Sequence, residues 1–221
     1  DRCLSRGLGD VYKRQASALQ KQGIVKGDRV VGLMPNIIET VVAMLATTSI
    51  AAIWSSCSPD FGINGVIDRF GQITPRILFA TDGYFYNGKT IDCFEKISGI
   101  KQKIESIEKV IIIPMVDRYE DSNEDTVLLE EFIGDTPVKH LEFEQLPFDH
   151  PLFVMYSSGT TGVPKCIVHS AGGTLLQHLK EHRLHTDITS NDVVFYYTTC
   201  GWMMWNWLVT GLASGASLVL Y

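Results

Sequence analysis

The sequence predicts an α/β fold of layered, mostly parallel sheets with flanking helices, and three observations carry that prediction. Seven short apolar runs alternate with longer segments of helical periodicity, the pattern of strands joined by crossover helices. With 221 residues, 45% of them hydrophobic, the chain is long and apolar enough for a sizeable core, which excludes general disorder. The longest apolar stretch, residues 40–54, is interrupted by Thr47, Thr48 and Ser49 and falls short of the roughly 20 apolar residues a membrane span needs.

Taken in order, residues 1–15 (DRCLSRGLGDVYKRQ) lack an initiator Met, an apolar h-region and a small-residue cleavage site, so they are no targeting signal. They resemble translated adaptor sequence, and apolar periodicity begins only near Ala16; the tract is expected to be non-native, leaving residues 16–221 as one domain with two sub-lobes. The predicted strands are Arg29 to Leu33, Ala51 to Ser56, Arg76 to Ala80, Lys109 to Ile113, Leu152 to Tyr156, Val193 to Tyr197 and Ser217 to Leu220. After the first, Pro35 marks a turn and Asn36 is placed to cap a helix with Glu39 three residues on, its apolar stripe formed by Ile37, Ile38, Val41, Val42 and Leu45. Further helices are expected over Ile91 to Ser106 and Ala171 to Leu184. Residues 117–125 (DRYEDSNED) form the sharpest shift in composition and read as a solvated surface insertion. The last strand stops with the chain, so the sequence reads as truncated at both ends.

A net charge of -6 argues against a phosphate backbone or an anionic membrane as main partner; any nucleotide must be held locally. Cys3, Cys57, Cys93, Cys166 and Cys200 are odd in number and never spaced C-x-x-C, which fits a reducing, cytosolic compartment.

The chemistry concentrates after the strand at Leu152. Ser157-Ser158-Gly159-Thr160-Thr161-Gly162-Val163-Pro164-Lys165 combines glycines that let backbone approach phosphate oxygens, hydroxyl donors at Ser157, Ser158, Thr160 and Thr161, and a cation at Lys165. It is no Walker A loop, because two residues rather than four separate its glycines and Pro164 precedes the Lys. The competing reading is a polar hairpin turn, which the same residue types favour. His178, His182 and His185 stand at i, i+4 and i+7, a spacing that can gather imidazoles, but no carboxylate or thiol completes a set and a solvated helix face is expected. His169, with Ser170, Gly172 and Gly173, either lies near the nucleotide or belongs to a helix-capping segment.

YSSGTTGVPK resembles the phosphate loop of the adenylate-forming superfamily of acyl-CoA synthetases, peptide-synthetase adenylation domains and luciferases. GIVKGDRVVGLMPN, VVAMLATTSIAAIW and the block from HPLFVMYSSGTTG to the end are similar to its acetoacetyl-CoA synthetase branch. Cys166 stands where most members have Gly, a departure shared with that branch. The resemblance implies part of a large N-terminal AMP-binding domain and a two-step ligase: acetoacetate attacks ATP to give acyl-AMP and pyrophosphate, and CoA then displaces AMP. It implies that Ser157, Ser158, Gly159, Thr160, Thr161, Gly162 and Lys165 hold the ATP phosphates with Mg²⁺ sharing their charge, Lys165 and Thr160 carrying catalysis. Trp202, Met203 and Met204 inherit an acyl-pocket role, Asn206 is a candidate donor to the β-keto oxygen, and Lys89 a candidate contact to a CoA phosphate. Family segments for adenine, ribose, metal and the C-terminal lid are absent from these residues, so the 221 residues alone are expected to be inactive. Acetyl- or propionyl-CoA synthetase and a noncatalytic nucleotide-binding protein are the alternatives.

Overall fold

The computed structural model describes residues 2–117, 125–134, 142–157 and 162–221. The elements are α1 (Arg2–Lys21), β1 (Arg29–Leu33), α2 (Ile38–Ser49), β2 (Ile53–Cys57), α3 (Ile63–Phe70), β3 (Ile77–Thr81), β4 (Gly83–Tyr86), β5 (Lys89–Asp92), α4 (Phe94–Lys103), β6 (Lys109–Ile113), β7 (Thr126–Leu128) and α5 (Leu129–Ile133). They continue with β8 (Pro151–Ser157), β9 (Lys165–Ser170), α6 (Ala171–Lys180), a π-helical turn (Glu181–His185), β10 (Val193–Phe195), α7 (Met203–Thr210), a 3-10 turn (Gly211–Ser214) and β11 (Ser217–Val219).

Seven strands form one sheet in the order β7-β6-β3-β1-β2-β8-β9, all neighbours parallel except the antiparallel pair β8 and β9. A parallel sheet covered on both faces needs strands that are apolar at every position, and alternation then deals successive residues to opposite cores. Ile77, Phe79, Ile111 and Ile113 enter one cluster with Trp54, Phe153 and Trp205; Leu78, Ala80, Val110 and Ile112 enter the other with Val66, Phe70 and Ile97. Between β1 and β2 the Trp54 ring lies over Gly32, where a Cβ would stand 2.6 Å from the indole, so only glycine fits. Beyond the main sheet, β10 and β11 pair in parallel and β4 and β5 form an antiparallel hairpin. Among the described residues no helix is long and apolar enough to cross a membrane.

The predicted strands are present with ends shifted by a few residues, and the departures have physical reasons. Residues 91 and 92 belong to β5 rather than to a helix. The sequence carried a signal for that hairpin in Asn87-Gly88, which take φ of 49° and 71° at its tip, the conformation a tight two-residue turn demands. Asn36 does not cap α2: Ile37 is the N-cap residue, and the Asn36 side chain turns away to accept a hydrogen bond from Trp205 Nε1 at 2.8 Å. Most of the charged stretch 117–125 lies outside the described residues; Asp125 pairs with Lys101 at 2.6 Å. The tract set aside at the start of the chain is helical from Arg2, with Tyr12 packed on the core and Gln15 buried.

The Asn36–Trp205 bond joins α7 to the turn after β1, and both partners are buried. Replacing Asn36 by Leu strands the indole N–H, which is expected to destabilise the protein by about 1–3 kcal/mol, read as a lower urea midpoint at unchanged m-value.

Candidate functional site

The site begins where the sheet changes direction. β8 runs parallel to β2, then the chain reverses and β9 returns antiparallel along β8, with Ser157 opposite Lys165. The motif therefore joins two antiparallel strands, as the hairpin reading expects. Ser158, Gly159, Thr160 and Thr161 lie outside the described residues. At the feet of the loop, Ser157 is half-buried and Lys165 exposed. Gly162 takes a φ of 96°, a left-handed conformation that disfavours any side chain.

Gln72, in the turn after α3, brackets Lys165. Its amide donates to Pro164 O at 2.8 Å, and its carbonyl oxygen accepts from the Cys166 thiol at 3.5 Å. The residue that departs from the superfamily's usual glycine thus contributes a sulfur contact that holds the base of the loop. Burial pushes the Cys166 thiol up, away from the reactive thiolate.

β9 leads from Lys165 to a cavity of about 620 Å³ between β9, α6 and α7. Met203, Met204 and Trp207 form its apolar wall, while His169, His178 and Glu181 stand on the polar wall. Met203 and Met204 are thus where the sequence placed an acyl pocket. Trp202 and Asn206 are not among its lining. Trp202 is the N-cap residue of α7 and 59% exposed. Asn206 faces the other way, into the core, where its amide donates to Met155 Sδ at 2.7 Å and its Oδ1 has no partner among the described residues. Trp207 was missed, although it stands three and four residues beyond Met204 and Met203, the spacing that puts helical residues on one face. Lys89 is exposed on the β4–β5 hairpin, outside the cavity lining.

The helix-capping reading of the His169 segment holds. Ser170 is the N-cap residue of α6, accepting from Gly173 N at 3.3 Å, while His169 lines the cavity with its ring 5.4 Å from that of Phe153.

The histidine face on α6 requires a correction. His178 and His182 are not solvated: they are buried against α7, their rings hydrogen-bonded through Nδ1 and Nε2 to the Thr210 hydroxyl at 2.8 and 3.1 Å. The His182 ring lies 4.5 Å from that of Trp207. Thr210 supplies polar partners and Trp207 covers the rings, so burial becomes affordable for two imidazoles at i, i+4. His185 alone is exposed, near Glu181 at 3.7 Å. Among the described residues no three His, Cys, Asp or Glu side chains are arranged to hold a metal.

Burial pushes His178 down to about 4, with nearby His182 and His169 adding to the effect; burial also lowers His182 and His169. The unfolded His178 ring takes up its proton near 6.5, the folded one only near 4, so this group's contribution to stability is complete above 6.5 and is lost as pH falls toward 4. A histidine NMR titration is expected to place the His178 midpoint near 4, and His178→Gln to flatten that part of the acid-side loss of stability.

With this geometry in place, comparison with known proteins is specific. The family described as AMP-binding enzyme matches residues 6–221. Acetoacetyl-CoA synthetase of Gallus gallus is 58% identical over 214 residues, covering 93% of this chain and 32% of that protein. Malonamoyl-CoA synthetase of Penicillium aethiopicum is 44% identical over 222 residues, covering 97% of this chain and 31% of that protein. The solved structure of acetoacetyl-CoA synthetase from Streptomyces lividans superposes with a TM-score of 0.92 at 44% identity, over 97% of this chain and 32% of that one. The chain spans about a third of the length of these relatives. The family match from residue 6 to residue 221 unites the hairpin loop, the cavity and both cores in a single assignment: this chain belongs to the AMP-binding enzyme family.

Proposed function

We propose that this chain is part of an ATP-dependent acetoacetate:CoA ligase and carries its phosphate loop and one side of its acyl pocket. The observation that carries the reading is the single strand β9, which has Lys165 at its start and His169 in the cavity wall four residues on, about 13 Å at 3.3 Å per residue. A triphosphate held at the loop and a short acid held in the cavity then meet along one rigid element. The 58% identity to a protein named acetoacetyl-CoA synthetase supports the choice of acid over acetate or propionate, and over a nucleotide-binding protein without activity.

In the proposed reaction the acetoacetate carboxylate attacks the α-phosphorus of ATP and the bond to pyrophosphate breaks, giving acetoacetyl-AMP. The CoA thiol then attacks the acyl carbon, its proton passes to solvent, and AMP leaves with the former carboxylate oxygen. No protein nucleophile is needed; the chain's task is to place the reactants and offset phosphate charge. Lys165 and Thr160 neutralise and orient the β- and γ-phosphates, with Ser157, Ser158, Gly159, Thr161 and Gly162 completing the cradle. Met203, Met204 and Trp207 exclude water from the acyl chain, while Trp202 and Asn206 gain no support from the geometry as acyl contacts. Lys89 is retained as a CoA phosphate contact on the strength of the family resemblance. Mg²⁺ would share the phosphate charge, but the described residues present no ligand cluster for it. Four free cysteines among the described residues fit a cytosolic setting.

Acetoacetate-dependent exchange of pyrophosphate into ATP by the full-length protein tests the reading. Strong exchange with acetoacetate and little with acetate is expected, and Lys165→Ala is expected to lower the rate by roughly 100-fold, as for loss of one charge-stabilising group. Full exchange in the Lys165→Ala enzyme would remove the phosphate role.

A further inference from the structure

We propose that His178 determines acyl specificity by donating its Nε2–H to an acceptor oxygen on carbon 3 of the acid. The inference rests on the ligase reading above. A 3-oxo acid brings one polar oxygen into a cavity whose α7 wall is apolar, and a buried oxygen left without a donor weakens binding strongly. The polar wall must therefore supply a donor. Of the other polar lining residues, Gln177 and Glu181 are engaged with each other at 3.0 Å, the Ser170 hydroxyl accepts from Gly173 N at 3.3 Å, the Thr174 hydroxyl oxygen is buried, and the His169 ring lies against that of Phe153 with centroids 5.4 Å apart. His178 is 7% exposed and lines the cavity; Nδ1 is held by Thr210, and Nε2 has no partner among the described residues.

The hydrogen-bond pattern is consistent with such a donor. Among the described residues His182 Nδ1 has no hydrogen-bond partner, while Nε2 lies 3.1 Å from Thr210 Oγ1 and the ring also meets the Trp207 backbone, which favours the proton on Nε2, facing Thr210. The Thr210 hydroxyl then has one proton for two acceptors, His178 Nδ1 and Trp207 O, both at 2.8 Å. Given to Nδ1, it fixes His178 as the Nε2–H tautomer facing the cavity; a bound 3-oxo group, which accepts and cannot donate, selects that arrangement. Burial keeps the ring neutral near pH 7, so the contact is a directional hydrogen bond rather than a fixed charge that would hold the carboxylate in the wrong place.

The test uses pyrophosphate exchange by the full-length protein with acetoacetate, butyrate and 3-hydroxybutyrate, comparing wild type with His178→Leu and His178→Gln. His178→Leu is expected to raise the KM for acetoacetate about tenfold or more relative to that for butyrate, as for loss of one buried hydrogen bond. His178→Gln, which keeps an N–H donor, is expected to retain the preference for acetoacetate over butyrate, and carries the test if the Leu variant does not fold. Equal losses with acetoacetate and butyrate would reduce His178 to a structural role and overturn the proposal. A loss confined to 3-hydroxybutyrate would make the ring an acceptor and overturn it equally. If wild type exchanges with other acids but not with acetoacetate, the ligase reading falls and takes this proposal with it.

Discussion

The antiparallel return of β9 along β8 is the constraint on which the site depends. Six strands of the main sheet are parallel, and a seventh parallel strand would need a crossover that carries the chain away from the sheet's end. The reversal instead joins β8, anchored to β2, to β9 through a short glycine- and hydroxyl-rich segment. It also places β9 on the sheet edge, where one side of the strand is free to line a cavity. The foot of the loop at Lys165 and the cavity wall at His169 thereby lie on a single strand.

Two side-chain assemblies hold that arrangement in place. Gln72 grips the residues on either side of Lys165, which fixes the base of the loop while leaving the Lys side chain exposed. On the other side, Thr210 ties His178 and His182 to α7, so the polar and apolar walls of the cavity are locked in one relative position. Asn36 and Trp205 then join α7 to the turn after β1. The Thr210 and Asn36 contacts satisfy polar atoms that burial would otherwise leave without partners.

The fold was legible because its strands are buried on both faces and so read as continuous apolar runs; no tertiary information is needed to see Lys109 to Ile113 as one of them. The hairpin joining Ser157 to Lys165 was legible from its turn-forming residue types, and the placing of Met203 and Met204 in a cavity wall from family position. What failed involved distant partners. Asn36 and Glu39 have the spacing of a capping pair, but the interaction that wins comes from Trp205, 169 residues away. The spacing of His178 and His182 showed a shared face and gave no sign that α7 covers it. Trp207 and the Asn87-Gly88 turn are different: helical periodicity and a tight-turn dipeptide made both readable in advance.

The central claim is that an acid carboxylate attacks the α-phosphorus of a triphosphate held at the β8–β9 loop. Supplying the full-length protein with acetoacetate labelled with ¹⁸O in its carboxylate, together with ATP and CoA, tests that bond directly by mass spectrometry of the products. One ¹⁸O atom in AMP and none in pyrophosphate is the predicted result. Label in inorganic phosphate alongside ADP, or AMP without label, would contradict the account.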